Sequence, residues 1–265
     1  MSVRSTPLRR ARVGVRAGWL RTALAFVVIV AAWEALERVV GARFPVVPAP
    51  SAIVAAALGA SNAIWLNLRL TLIESAIGLV AGSVLGLALA ALFVAWPRAE
   101  NALYNLVITV HSIPLLAVAP VLLIWFGVGI VAPTIIAALA CFFPMAVNAT
   151  RGLRAASAGA LDLMRALDAD PRQAFLRVRL PASLPYVMTA LKLGAPAAVL
   201  GATVGEWLGT AGIGYLLFSS MVNFQVPLLW ATMLIAAAVA LSGYVFFAGL
   251  ELALVGWHAR SASGA

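Results

Sequence analysis

Six stretches run almost without charge through the chain, Leu20–Val40, Leu70–Trp96, Ala102–Phe126, Val131–Ala149, Tyr186–Gly205 and Leu228–Trp257. About twenty apolar residues in a helix match the hydrocarbon thickness of a bilayer, and a helix satisfies its own backbone where no water can do so. The expected fold is therefore all-α, a polytopic membrane protein with about six transmembrane helices. Composition agrees: 64% of the residues are hydrophobic and 10% charged, with mean hydropathy +1.04, against roughly a quarter charged in soluble domains. A soluble helical core is excluded on that ground.

Arginine supplies the orientation. Arg4, Arg9, Arg10, Arg12, Arg16 and Arg21 precede the first run, which imitates a signal peptide; more membrane follows it, so it reads as an uncleaved first span. With the N-terminus inside, fourteen arginines fall on the cytoplasmic side: those six, Arg98, Arg151, Arg154, Arg165, Arg172, Arg177, Arg179 and Arg260. Only Arg38, Arg43 and Arg69 fall on the other side, and Lys192 lies within the fifth run. This bias places both termini in the cytoplasm. The net charge of +9 is thus a topological signal rather than a nucleic-acid one. Cys141 reads as a small buried hydrophobe, and no His/Cys cluster suggests a metal.

Between the first two runs, Pro45, Pro48 and Pro50 break the chain, and Ser51 is a candidate cap for a short interfacial helix from Ala52 to about Trp65. Gly78, Gly82 and Gly86, and again Gly201, Gly205 and Gly209, recur every four residues. That spacing predicts close helix contacts, either within one chain or across a dimer seam. Pro114, Pro120, Pro133, Pro144 and Pro196 predict kinks or helix ends.

The most informative segment is the hydrophilic stretch from Arg151 to Pro185. Ala160, Leu163, Met164 and Leu167 share one face of a short amphipathic helix. Asp170 is placed to cap a second helix, with Pro171 at its first position and Gln173 completing a capping box; that helix is expected to end near Leu180-Pro181. Two short helices joined by a tight turn form a docking element, or else a solvated linker.

The run Leu161–Pro181 resembles the EAA loop of ABC importer permeases. Asp162-Leu163-Met164 stands at the E-A-A position, Asp168 where a glycine is expected, and Val178-Arg179-Leu180-Pro181 at the closing motif. The departure at Asp168 requires an aspartate to take the glycine's backbone conformation, which Asp does more readily than most residues. Further segments are similar in kind and order to permeases for sulfonates, taurine, nitrate and thiamine precursors. These are Phe44-Pro45, Pro48–Ser51, Leu66–Leu72, His111–Pro120, Trp125–Gly129, Phe142–Pro144 and Gly205–Tyr215. Asn223–Ala231 resembles the pyrimidine-precursor branch.

The resemblance implies a type I ABC importer permease: a basic cytoplasmic tail at residues 1–22, one transmembrane permease domain at 23–257 with its coupling loop at 151–185, and a cytoplasmic tail at 258–265. It implies a multi-pass subunit of the bacterial inner membrane, a homodimer with ABC ATPase subunits and an extracytoplasmic solute-binding protein. The chain itself is not an enzyme: it has no phosphate-binding loop, and its one lysine, Lys192, is followed by Leu193 in an apolar run. ATP and Mg are expected on the partner ATPase, and no cofactor on this chain. Coupling contacts are assigned to Asp162, Leu163, Met164, Arg165, Leu167, Asp168, Ala169, Arg172, Phe175, Arg177, Leu180 and Pro181. Glu74, His111, Asn148 and Glu206 are ionisable or polar groups at membrane depth and are candidates for the translocation path or gate. The alternative is a secondary transporter or channel driven by an ion gradient, which would need midmembrane acids and a repeated half.

Overall fold

Over the described residues the apolar runs are α-helical, one of them in two pieces. The computed structural model describes residues 11–40 and 46–254; Arg4, Arg9, Arg10, Arg43, the Phe44-Pro45 pair, His258 and Arg260 lie outside them. In chain order the helices are α1 (Ala11–Val40), α2 (Pro50–Gly59), α3 (Ser61–Ala95), α4 (Pro97–His111), α5 (Leu115–Phe126), α6 (Val131–Arg154), α7 (Ala158–Ala166), α8 (Pro171–Ala174), α9 (Leu180–Glu206), α10 (Ile213–Val222) and α11 (Val226–Leu254). A π-helical turn, Phe175–Arg179, joins α8 to α9. Among the described residues, four helices are long and apolar enough to cross a membrane: Ser61–Ala95, Val131–Arg154, Pro171–Glu206 and Val226–Leu254. The 30-residue α1 precedes them and exposes Leu24, Phe26, Val27 and Ile29, an apolar surface suited to lipid.

Helix α6 is the centre, packed along both α3 and α9. The two glycine stripes make this possible. A Cβ on Gly78 would stand 2.5 Å from Ala137 Cβ, one on Gly86 2.7 Å from the Phe142 carbonyl oxygen, and one on Gly82 would strike the Ala138 carbonyl. From α9, a Cβ on Gly201 would lie 2.8 Å from Ala137 Cα, and one on Gly205 2.5 Å from Pro133 Cα. These glycines therefore serve contacts within one chain, where small residues let backbones approach and dispersion replaces the hydrophobic drive that lipid removes. Cys141 is buried beside Ala137, Ala198 and Ala202, the small hydrophobe expected of it.

Several boundaries differ from the sequence reading. The expected third run, Ala102–Phe126, is two helices, α4 and α5, broken at Ser112–Pro114. Pro114 cannot donate a helical hydrogen bond and disfavours helix in the residue before it. The pair still runs the length of α6: Glu100 at the start of α4 pairs with Arg154 at the end of α6, while Ala119 and Leu122 of α5 pack on Ala132 and Ile136 near its start. The third expected span is thus two short helices, neither of them long and apolar enough to cross a membrane alone.

Ser51 does not cap α2. Its hydroxyl donates to Glu34 Oε1 at 2.7 Å and its N–H to Glu34 Oε2 at 3.1 Å, tying α2 to α1. Helix α2 ends at Gly59 and α3 begins at Ser61, well before the expected Leu70, so Trp65 belongs to α3. Pro181 does not end the second helix of the hydrophilic stretch either. The chain stays helical from Pro171 to Glu206, and the π-turn, in which the Leu180 N–H reaches back to the Phe175 carbonyl, gives the slack a proline needs in a helix.

Candidate functional site

Two constellations stand out, one at each end of the α3–α6–α9 core. The first is the hairpin between α6 and α9. Ser157 caps α7 by accepting from the Ala160 N–H at 3.2 Å, and Asp170 caps α8 by accepting from the Gln173 N–H at 2.7 Å. Between them Asp168 has φ +52°, its N–H reaches the Arg165 carbonyl at 3.1 Å, and the Ala169 N–H reaches Met164 at 3.0 Å. That pair of bonds around a left-handed residue is a Schellman ending, which usually employs glycine. Asp168 therefore occupies the backbone conformation that the expected glycine would take.

The hairpin's side chains divide into two sets. Leu163 and Leu167 are 60% and 68% exposed; Arg177 is exposed too, and Arg172 is exposed at the rim of the cavity described next. Asp162 accepts from Arg165 Nη1 at 2.8 Å, an exposed pair whose Arg165 also borders that cavity. Met164 and Phe175 turn the other way. They line a cavity of about 650 Å³ with Leu161, Val94 and Arg172, and Phe175 also packs against the buried cluster of Ala90, Met145, Ala149, Leu153 and Ala190. Ala169 lines the same cavity; Leu180 is half-buried and Pro181 exposed at the start of α9. Arg179 donates to the Leu153 carbonyl at 3.2 Å and anchors the hairpin to α6.

The second constellation is polar and buried. Glu74 and Glu206 are each 1% exposed, and their carboxyl groups interact. Glu206, the last residue of α9, accepts from Thr71 Oγ1 at 2.6 Å through Oε1 and from the Gly214 N–H at 2.7 Å through Oε2. Thr71 Oγ1 also accepts from the Ile213 N–H at 2.9 Å, and Asn67 Oδ1 from the Gly212 N–H at 2.7 Å. Asn67, Thr71 and Glu74 follow one another at helical spacing, so one face of α3 holds the end of α9 through Glu206 and the start of α10 through Gly212 and Ile213. Gly212 must be glycine: its φ is +101°, and a Cβ would collide with the Glu206 carboxyl. Glu74 is the fourteenth residue of α3 rather than a span-end group, because the helix begins at Ser61.

The remaining path candidates lie apart from this pair. His111 ends α4 at the break before α5 and stacks on Phe143 of α6, with ring centroids 3.9 Å apart and planes 8° from parallel. Together with Ser112, Pro114, Leu139 and Phe142 these rings border a cavity of about 450 Å³. Asn148 spends its side-chain amide on its own helix, donating to the Pro144 carbonyl at 2.8 Å. Sequence reasoning missed Thr71 and Gly214 as partners of Glu206, the bond from the Gly212 N–H to Asn67 beside them, and the contact of Lys192 Nζ with Glu251 Oε2 at 2.5 Å that joins α9 to α11. The i, i+4, i+7 row of Asn67, Thr71 and Glu74 in an apolar helix was the available signal.

Residues 78–255 match the family described as binding-protein-dependent transport system inner membrane component. The chain is 33% identical to the formylaminopyrimidine transport permease ThiX of Halalkalibacterium halodurans, over 91% of this chain and 97% of that one. It is 24% identical to the taurine transport permease TauC of Escherichia coli, over 74% and 71%. Among solved structures, an inward-facing MetNI methionine ABC transporter superposes with a TM-score of 0.61 at 18% identity, covering 73% of this chain and 95% of that one, and shares the fold. The sequence pattern, the helical architecture and these likenesses converge: the chain belongs to the binding-protein-dependent transport system inner membrane component family, the permease subunits of ABC importers.

Proposed function

We propose that this permease works as a homodimer in the bacterial inner membrane with both termini cytoplasmic, and imports a small heteroaromatic or anionic solute handed over by a binding protein. ATP and Mg act on the partner ATPases and not on this chain. The observation that carries the coupling assignment is the hairpin: a capped, Schellman-closed unit, continuous with α9 and anchored to α6, that presents Leu163, Leu167, Arg172 and Arg177 outward. A rigid-body push on it moves α9 and α6 directly. The solute class rests on the ThiX and TauC likenesses. The discontinuous α4–α5 crossing, with His111 at its break, supports a path there, since unwound helices within a membrane mark binding sites in transporters. Glu206 and Glu74 then belong to the outer gate, and Asn148 is left lining α6.

Leu167→Asp tests the coupling. Leu167 is exposed and packs in no core, so the change spares the fold while placing charge in the docking surface. The expected result is loss of ATPase co-purification and of solute accumulation in reconstituted vesicles, with an unchanged melting temperature of the permease. Retained assembly with full uptake refutes the assignment. Phe175 is unsuitable for this test because it also supports the core.

A further inference from the structure

Glu74 and Glu206 present a charge problem that none of the described side chains lining them solves with a cation. Both are buried, yet no Arg, Lys or His is among the residues lining the cavity of about 170 Å³ that they share with Leu70, Leu123, Pro133 and Thr210. Arg69, the nearest cation in sequence, is exposed. Each Glu206 oxygen already holds a donor, Thr71 at Oε1 and Gly214 at Oε2, whereas Glu74 Oε2 is fully buried with no partner. An uncompensated buried carboxylate is strongly unfavourable, and two facing each other are worse. The cavity is open beside Gly129, where an added Cβ would meet nothing within 4 Å, and its volume exceeds what one ion and its first waters need.

We propose that this cavity is a binding site for one small monovalent cation, held between the carboxyl groups of Glu74 and Glu206. Carboxylate, hydroxyl and backbone oxygens are hard ligands, which suits an alkali-metal ion. A proton shared between the two carboxyls supplies the same single positive charge. Either occupant joins α3 to the end of α9 beneath the loop held by Asn67 and Thr71, so occupancy favours the state in which that loop is closed down on α3. The proposal stands on the geometry of this chain and does not depend on the solute or on the partner ATPase.

The test uses the full-length chain in lipid nanodiscs, melted at constant ionic strength in lithium, sodium, potassium or choline chloride, with infrared spectra recorded in H2O and D2O. A saturable rise in melting temperature with one alkali ion, absent in Glu74→Gln, identifies a metal ion. Ion-independent melting together with a protonated-carboxyl band that disappears in Glu74→Gln identifies the proton. Both results sustain the site. Equal melting in all four salts with no such band in the wild-type protein overturns it, and because those readouts need no variant, misfolding of Glu74→Gln does not remove the test. Glu74→Asp, which keeps the carboxyl but withdraws it, is expected to weaken the ion effect or move the band; an unchanged response also overturns the proposal.

Discussion

At the residue scale, Asp168 shows how a departure from a family pattern is absorbed. The Schellman ending of α7 fixes a left-handed backbone there, and the chain meets it with a residue that carries a Cβ. Left-handed geometry costs an L-residue about 1–2 kcal/mol, with Asp near the low end because its short polar side chain tolerates the region. Asp168→Gly is therefore expected to raise stability slightly, by up to about 1 kcal/mol, and to leave transport intact. Asp168→Val, branched at Cβ, should cost about 2 kcal/mol locally and weaken ATPase coupling more than it lowers overall stability. Melting of the permease alone, set beside solute-stimulated ATPase activity of the assembled complex, separates the two effects. This position was legible from sequence because everything that fixes it is local: the caps at Ser157 and Asp170 and the turn between them lie within a few residues. For Glu206 only half was legible: the polar row of Asn67, Thr71 and Glu74 marks a face of α3, but no periodicity links that face to Glu206, 135 residues beyond Thr71.

At the element scale, the question left open by the glycine stripes, contact within the chain or between chains, is decided by what stands opposite them. Gly82 faces the Ala138 carbonyl of α6, and backbone cannot swing aside as a flexible side chain can. Gly82→Ala should force α3 and α6 apart and cost about 1–3 kcal/mol, the range of overpacked cores. Gly59, in α2, has nothing near an added Cβ, so Gly59→Ala should instead stabilise by roughly 0.5–1 kcal/mol through helix propensity. Opposite shifts in melting temperature from the same chemical change would establish packing as the cause. Hydropathy located the helices because lipid-facing surface and apolar sequence are one property, and it failed where backbone geometry decides. Ser112-Ile113-Pro114 is apolar enough to pass for mid-helix, yet α4 stops before it; Pro181 looks like a terminator, yet the π-turn carries the helix through. The hairpin is consequently rooted more deeply in α9 than a loop would be.

For the whole molecule, that rooting determines how force is shared. The core of α3, α6 and α9 is locked by small residues, whereas α11 has few buried residues and meets α9 partly through the contact of Lys192 with Glu251. Their side chains are 18% and 27% exposed, so solvent or headgroups screen the attraction only in part. If this ion pair keeps α11 in step with α9 as the hairpin is pushed, removing one partner must be worse than removing both, because a lone charge is left between two apolar helices. Lys192→Met and Glu251→Gln should each destabilise by about 2 kcal/mol, with the double variant recovering at least half of the summed loss. The singles should also raise ATP consumption per solute imported, since α11 would then lag behind α9. A double-mutant cycle on melting temperature, with uptake and ATP hydrolysis followed in the same vesicles, measures both quantities. Additive losses with unchanged coupling would show instead that Lys192 and Glu251 are independently solvated and that α11 follows the core through lipid and packing alone.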